Sequence, residues 1–151
     1  MENNKEIEET LSFISKKLHG IDYAFIGSIN LHVQGFEIIP RDIDILTTPE
    51  GIKEIDRILD QFRVKEICFD ESEGRGSFRS FYNLNDWEIE ILGNVNNLYR
   101  DKESLKKKIF IAFEEIELPC IPLVHELETY EKMGRMEKVQ MIKKFLRDKS
   151  S

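Results

Sequence analysis

Residues 41–47 read RDIDILT, and the alternation in that stretch decides the fold. Polar and apolar side chains take turns, which is the period of a strand with one face in a core. Residues i and i+2 leave a strand on the same side. Asp42 and Asp44 therefore share one face, and Ile43 and Ile45 share the other. The two carboxylates sit about 6.6 Å apart along the chain. Like charges so placed repel unless a cation lies between them, and hard oxygen donors select Mg²⁺ or Mn²⁺. Two aspartates on a solvated strand would give the same string, so the stretch has to be read with its neighbours.

On the N-terminal side, Ile7, Leu11, Ile14 and Leu18 recur at helical spacing, and His19-Gly20 closes that helix. Asp22 to Ile26 (DYAFI) reads as a short buried strand broken by Gly27-Ser28, with a short helix over 29–35 closed by Gly35. A glycine at a strand-to-helix turn lets the backbone approach a phosphate, and the following N–H groups favour its charge. Thirteen residues separate this turn from Asp42, so turn and acid pair form a joint pattern on two adjacent strands.

On the C-terminal side, Thr48-Pro49 starts a helix whose stripe is Ile52, Ile55, Ile58, Leu59 and Phe62. Val64 to Phe69 is a further strand, and 70–77 (DESEGRGS) reads as a polar loop. The string FRSFYNLNDWEIEIL (78–92) is a hairpin turning at Asn85-Asp86. Within it, Ile89 and Ile91 face the core, and Glu88 and Glu90 the other side. If this strand lies beside RDIDILT, it supplies a third carboxylate. Three acids can hold two divalent ions at roughly 3.5–4 Å, the arrangement that clamps the attacking and leaving oxygens of nucleotidyl transfer. Residues 94–107 are polar, with a short helix among them. Ile109 to Leu118 gives one or two strands, and 123–133 and 135–147 are helices hinged at Gly134. The expected architecture is α/β (α+β), a mixed sheet of about five strands flanked by helices.

The whole chain has 151 residues, 40% hydrophobic and 34% charged, as in an ordinary globular domain. The net charge of −7 argues against a protein that coats a nucleic-acid backbone, since that needs a basic face. It leaves room for a local basic pocket for one nucleotide. Cys68 and Cys120 form neither a CxxC nor a zinc pattern. The acidic start MENNKEIEET is no signal peptide, and no apolar run approaches the roughly 20 residues of a membrane span. A cytoplasmic chain without a membrane partner is the expectation.

Together, FIGSINLHVQG (25–35), RDIDI (41–45) and IEILGN (89–94) resemble the nucleotidyltransferase superfamily that includes DNA polymerase beta. Within it the chain is similar to small stand-alone members such as lincosamide and aminoglycoside adenylyltransferases and minimal nucleotidyltransferases. The likeness extends into LVHELETYEKMGRMEKVQMIKKFL (123–146), similar to the helical tail of such proteins. It implies a nucleotidyltransferase domain over 1–122 and a C-terminal helical tail over 123–151 packed on it. Gly27 and Ser28 match the glycine-serine turn that holds the triphosphate. Asp42 and Asp44 match the metal-binding aspartates, and Glu90 the third acid, which serves as metal ligand or general base. Glu88 is the fallback. Two positions depart from the pattern: the third acid is often Asp, and Asn30 stands where a small apolar residue is common. Asn30 then reads as an added nucleotide contact or as simple tolerance.

The resemblance implies a two-metal transfer of a nucleoside monophosphate, AMP from ATP above all, to a hydroxyl of a small molecule or protein. Mg²⁺ or Mn²⁺ is the implied cofactor and ATP or another nucleoside triphosphate the co-substrate. The alternative is an inactive nucleotide-binding or antitoxin-like interaction module of the same fold. Lys132, Arg135 and Lys138 recur at steps of three around the Gly134 hinge. A cation there can reach the triphosphate, and a solvated helix surface explains the spacing as well. Arg75 and Arg79 flank the glycine loop, and Arg41 reads as structural. His19, His32 and His125 show no metal spacing. A homodimer is compatible with so small a domain, and no residue in the sequence marks its contact.

Overall fold

The structure is a computed structural model that describes the backbone of residues 2–72, 75–97, 99–100 and 103–150, with side chains described for 5–71, 76–93, 99–100 and 103–149. Its centre is a seven-stranded mixed sheet. The strands are β1 (Tyr23–Ile26), β2 (Asp42–Thr47), β3 (Arg63–Ser72), β4 (Arg75–Leu84), β5 (Trp87–Asn97), β6 (Ile109–Phe113) and β7 (Ile116–Cys120). The helices are α1 (Glu2–Lys17), α2 (Gly27–Val33), α3 (Pro49–Ile58), α4 (Leu123–Met133) and α5 (Met136–Ser150). Spatial order is β3-β4-β5-β2-β1-β7-β6. Strands β2 and β5 run parallel, as do β1 and β7, and the other neighbours are antiparallel.

The sheet is larger than the five strands expected. Ile109 to Cys120 folds as a complete hairpin, β6–β7. Of the stretch DESEGRGS, expected to be a loop, residues 70–72 extend β3 and 75–77 begin β4, with Asp70 opposite Ser77 and Glu71 opposite Gly76, while 73–74 lie outside the described residues. Cross-strand backbone pairing holds these polar residues in the ladder without an apolar pattern of their own. The Asn85-Asp86 turn is as expected, with φ of 52° and 67°. Those left-handed values match the strand twist of a two-residue hairpin, and Asn and Asp tolerate them.

Alternation sorts the strands onto two faces. Ile43, Ile45, Ile89 and Ile91 join Phe25, Leu118 and Cys120 in the main core, against Ile7, Leu11 and Ile14 of α1 and Ile52 and Ile55 of α3. The start of α3 is fixed by Thr48, whose hydroxyl accepts from the Gly51 N–H at 2.9 Å. Gly93 is where α3 comes closest to β5: a Cβ there would lie 2.9 Å from Ile52 Cγ2. Ala24, Ile26, Leu46, Leu105 and Ile121 form a smaller cluster. A third cluster of Leu31, Phe36, Tyr130, Val139 and Ile142 joins α2 to α4 and α5. The acids of β2 and β5 occupy the positions that the main core does not use. Among the described residues, no helix is long and apolar enough to cross a membrane.

Candidate active site

The parallel register of β2 and β5 sets Asp42 beside Glu88 and Asp44 beside Glu90. The structure thus separates two acids that the sequence left as alternatives. Glu90 lines a cleft of ≈180 Å³ together with Asp44, whereas Glu88 is exposed and outside that lining. Gly27, Arg79, Arg100, Tyr130 and Arg135 also line it. Asp42 does not line it, yet its charge reaches Asp44.

Asp44 is the electrostatic centre. Burial pushes its carboxyl up to about 7, and the charges of Asp42, Glu90 and Glu126 push the same way, with Arg100 opposing them. Its Oδ1 is buried without a hydrogen-bond partner. A buried carboxylate oxygen left unpaired costs free energy, and such exceptions concentrate at functional sites. Gly27 lies against this side chain with φ of +73°, and a Cβ there would come 3.1 Å from Asp44 Oδ2. The turn from β1 into α2 therefore requires glycine both for its left-handed backbone and for the room Asp44 needs.

Glu126 of α4, which the sequence analysis passed over, proves central. It is wholly buried. Its Oε2 accepts from the Gly27 N–H at 2.7 Å and from Asn30 Nδ2 at 3.0 Å, and its Oε1 pairs with Arg100 at 2.8 Å. The signal was available: Glu126 falls on the stripe of α4 defined by Leu123, Leu127 and Tyr130, where an acid has no ordinary reason to be. Arg100 had no such signal, being a lone arginine in a polar stretch.

These contacts engage two groups that the sequence offered to a nucleotide. Asn30 is wholly buried, and its amide serves Glu126, the Ile121 carbonyl and Gln34. It fixes Glu126 in place. The Gly27 N–H, which a glycine turn would offer to a phosphate, already has a carboxylate partner. Ser28 follows in the first turn of α2, half-buried and outside the cleft lining. The basic residues at the hinge also divide. Arg135 lines the cleft, its guanidinium 5.5 Å from the centre of the Tyr130 ring, whereas Lys132 is exposed and outside it. The Gly134 cap, at φ +74°, turns the chain between them. Arg79 reaches the cleft from β4, with Nε 3.3 Å from Glu90 Oε2 and Nη1 3.5 Å from Asp70. The side chain of Arg75 lies outside the described residues.

The donors suit a hard divalent cation: a buried, unpartnered Asp44 oxygen, Glu90 opposite it and Asp42 two residues back on the same face. Among the described residues, no three acids, histidines or cysteines are gathered closely enough to enclose one. Glu90 is instead drawn to Arg79.

Comparison with known proteins supplies the class. No protein-family model matches the chain. No curated protein matches it either. Solved structures do. A candidate nucleotidyltransferase of Thermotoga maritima, known from a crystal structure, matches with a TM-score of 0.78 and 28% identity over 95% of this chain and 94% of its own. The antibiotic-resistance factor ANT(2″)-Ia, crystallised in complex with adenylyl-2″-tobramycin, matches at TM-score 0.52 and 12% identity, over 95% and 99% of the two chains. Its solution structure gives the same score and identity, over 95% and 94%. The chain has the nucleotidyltransferase fold.

Proposed function

We propose that this chain is a metal-dependent nucleotidyltransferase that moves a nucleoside monophosphate, AMP from ATP, to a hydroxyl of a small molecule or protein. One observation carries the reading: Asp44, buried with an unpartnered oxygen, stands opposite Glu90 on neighbouring parallel strands and beside a glycine turn. A sheet built only for stability would have an apolar residue at that position.

In this reading Asp42 and Asp44 hold Mg²⁺, with Glu90 as third ligand or as base. Mg²⁺ held there would supply Lewis-acid chemistry, countering the negative charge of the triphosphate. The acceptor oxygen forms its bond to the α-phosphorus as the bond to the pyrophosphate oxygen breaks. Glu90 takes the acceptor's proton. Arg135 and Arg100 lend positive charge to the cleft where the triphosphate would lie. The turn at Gly27-Ser28 contributes close approach rather than the Gly27 N–H, which Glu126 holds. The likeness to ANT(2″)-Ia supports a hydroxylated small molecule as acceptor.

Calorimetric titration of ATP and GTP with Mg²⁺ into wild type and Asp44→Asn tests the reading. Binding to wild type that needs Mg²⁺ and weakens at least about tenfold in the variant, ~1.4 kcal/mol, is the expected result. Absence of binding to wild type would overturn it. Binding with no transfer to any hydroxyl acceptor would favour the inactive module of the same fold.

A further inference from the structure

The two edges of the sheet are built differently. Strand β3 closes one edge with charges at Arg63, Lys65, Glu66, Asp70 and Glu71, and its pairing with β4 slips twice, between Arg63 and Lys65 and between Lys65 and Cys68. Charges and bulges are how proteins keep an edge from pairing with another chain. Strand β6 closes the other edge with IFIAF and has neither device. Its pairing with β7 is regular over all five residues. Ile109 is 40% exposed and Phe110 61%.

The direction of its free backbone groups follows from β7. Ile121 donates to the Phe25 carbonyl, and Phe25 stands opposite Cys120, so Pro119 and Ile121 point toward β1. Leu118 and Cys120 then point toward β6, where they face Ile111 and Ile109. Pro119, which has no N–H to give, falls opposite Phe110, as this alternation demands. Phe110 and Ala112 therefore turn their N–H and C=O groups outward, and no strand of the described residues meets them.

The charges beyond the two ends of β6 are opposite in sign. Lys106, Lys107 and Lys108 precede it, and Glu114 and Glu115 follow it. We propose that β6 pairs antiparallel with β6 of a second copy of this chain, about a two-fold axis at Ile111, joining two sheets edge to edge. In that register Phe110 stands opposite Ala112 of the second copy, so the outward groups of each meet those of the other. Beyond the paired strands, the same arrangement brings the basic segment before β6 of each copy toward the acidic Glu114-Glu115 turn of the other. Lys108 already pairs with Asp22 at 2.5 Å, while Lys106, whose pair with Glu103 is solvent-exposed, and Lys107 carry the outer basic charge. One two-fold thus satisfies the backbone, the apolar row and the charges together, as an isologous contact must. A parallel arrangement would set lysines against lysines.

Five paired residues make a small contact, so the association should depend on concentration. Sedimentation velocity from about 1 µM to about 1 mM, the span of weak interfaces, is expected to show a monomer–dimer equilibrium. Ala112→Pro removes an outward N–H, a place where an edge strand accepts proline. It is expected to keep the wild-type circular dichroism and to abolish the dimer. Glu114→Lys with Glu115→Lys, and separately Lys106→Glu with Lys107→Glu, are each expected to weaken self-association at least tenfold. Mixing the two double variants is expected to restore it. A wild type that stays monomeric throughout, or a dimer that survives in folded Ala112→Pro, would overturn the proposal. If Ala112→Pro does not fold, failure of the mixed charge variants to recover association overturns it instead.

Discussion

Replacing Glu126 by Gln tests the central claim about how the site is held. The change keeps the size and shape of the side chain and removes its charge. Three donors converge on that carboxylate: the Gly27 N–H at 2.7 Å, Asn30 Nδ2 at 3.0 Å and Arg100 at 2.8 Å. A glutamine offers one accepting oxygen and one NH₂ group. However it turns, a donor faces a donor. The ion pair is also buried, with Arg100 10% and Glu126 0% exposed at the side chain. An unmade buried hydrogen bond costs about 1–3 kcal/mol, and breaking a buried ion pair about 3–5. Gln preserves part of the network, so we expect a loss of about 3 kcal/mol. For a domain of this size that lowers Tm by roughly 6–12 °C. Urea denaturation followed by circular dichroism measures it. Lys106→Ala, which breaks the exposed pair with Glu103, serves as the control and should cost under about 1 kcal/mol. If Glu126→Gln unfolds within 1 kcal/mol of wild type, Glu126 does not organise the Gly27 turn and the reasoning fails.

Two other predictions follow from the same site. Asp44 ionises at about 7 in the folded chain against 3.8 for the ordinary side chain. Between those values the native state holds a proton that the unfolded state has lost. In the metal-free protein the contribution of Asp44 to stability should therefore be fullest below about pH 4 and be lost as pH rises through 7, by up to about 4 kcal/mol. Asp44→Asn should flatten that fall, and denaturant midpoints of both proteins at pH 4 and 8 decide it; parallel curves would refute the assignment. Gly27→Ala forces a Cβ onto a φ of +73° and to 3.1 Å from Asp44 Oδ2. It should lose about 1–2 kcal/mol from the backbone alone and weaken nucleotide binding, and an unchanged urea midpoint would show that the turn can relax.

Much of this was legible because the decisive signals are local. RDIDI and IEIL give their faces away by alternation, and the Asn85-Asp86 turn by residues that accept positive φ. The glycine at 27 is marked by its place between a buried strand and a helix. What was hidden depended on pairing across the chain. DESEGRGS has no alternation of its own, and only the ladder between β3 and β4 makes residues 70–72 and 75–77 strand. The hinge cations share a helical spacing, but the left-handed cap at Gly134 sends Arg135 to the cleft and leaves Lys132 in solvent. Asn30 looked like a polar residue available to a ligand. Its role becomes visible only when Glu126, 96 residues further on, is brought against it.

The site is best understood through its imbalance of charge. Asp42, Asp44, Glu90 and Glu126 raise the local negative potential around one buried carboxyl, and Arg100 is the cation that opposes it there. Glu126 is fully engaged, since Gly27, Asn30 and Arg100 satisfy both its oxygens. Glu90 has Arg79 at 3.3 Å. Among the described acids, Asp44 has the oxygen that is both buried and without a partner. Local rules for a stable sheet are thus obeyed on the isoleucine face of β2 and β5 and broken on the acid face of the same two strands. Proteins break such rules where function requires it. Here the break includes a carboxylate oxygen that a divalent cation would satisfy. That buried, unpaired oxygen, more than the number of acids, separates this arrangement from an ordinary solvated strand.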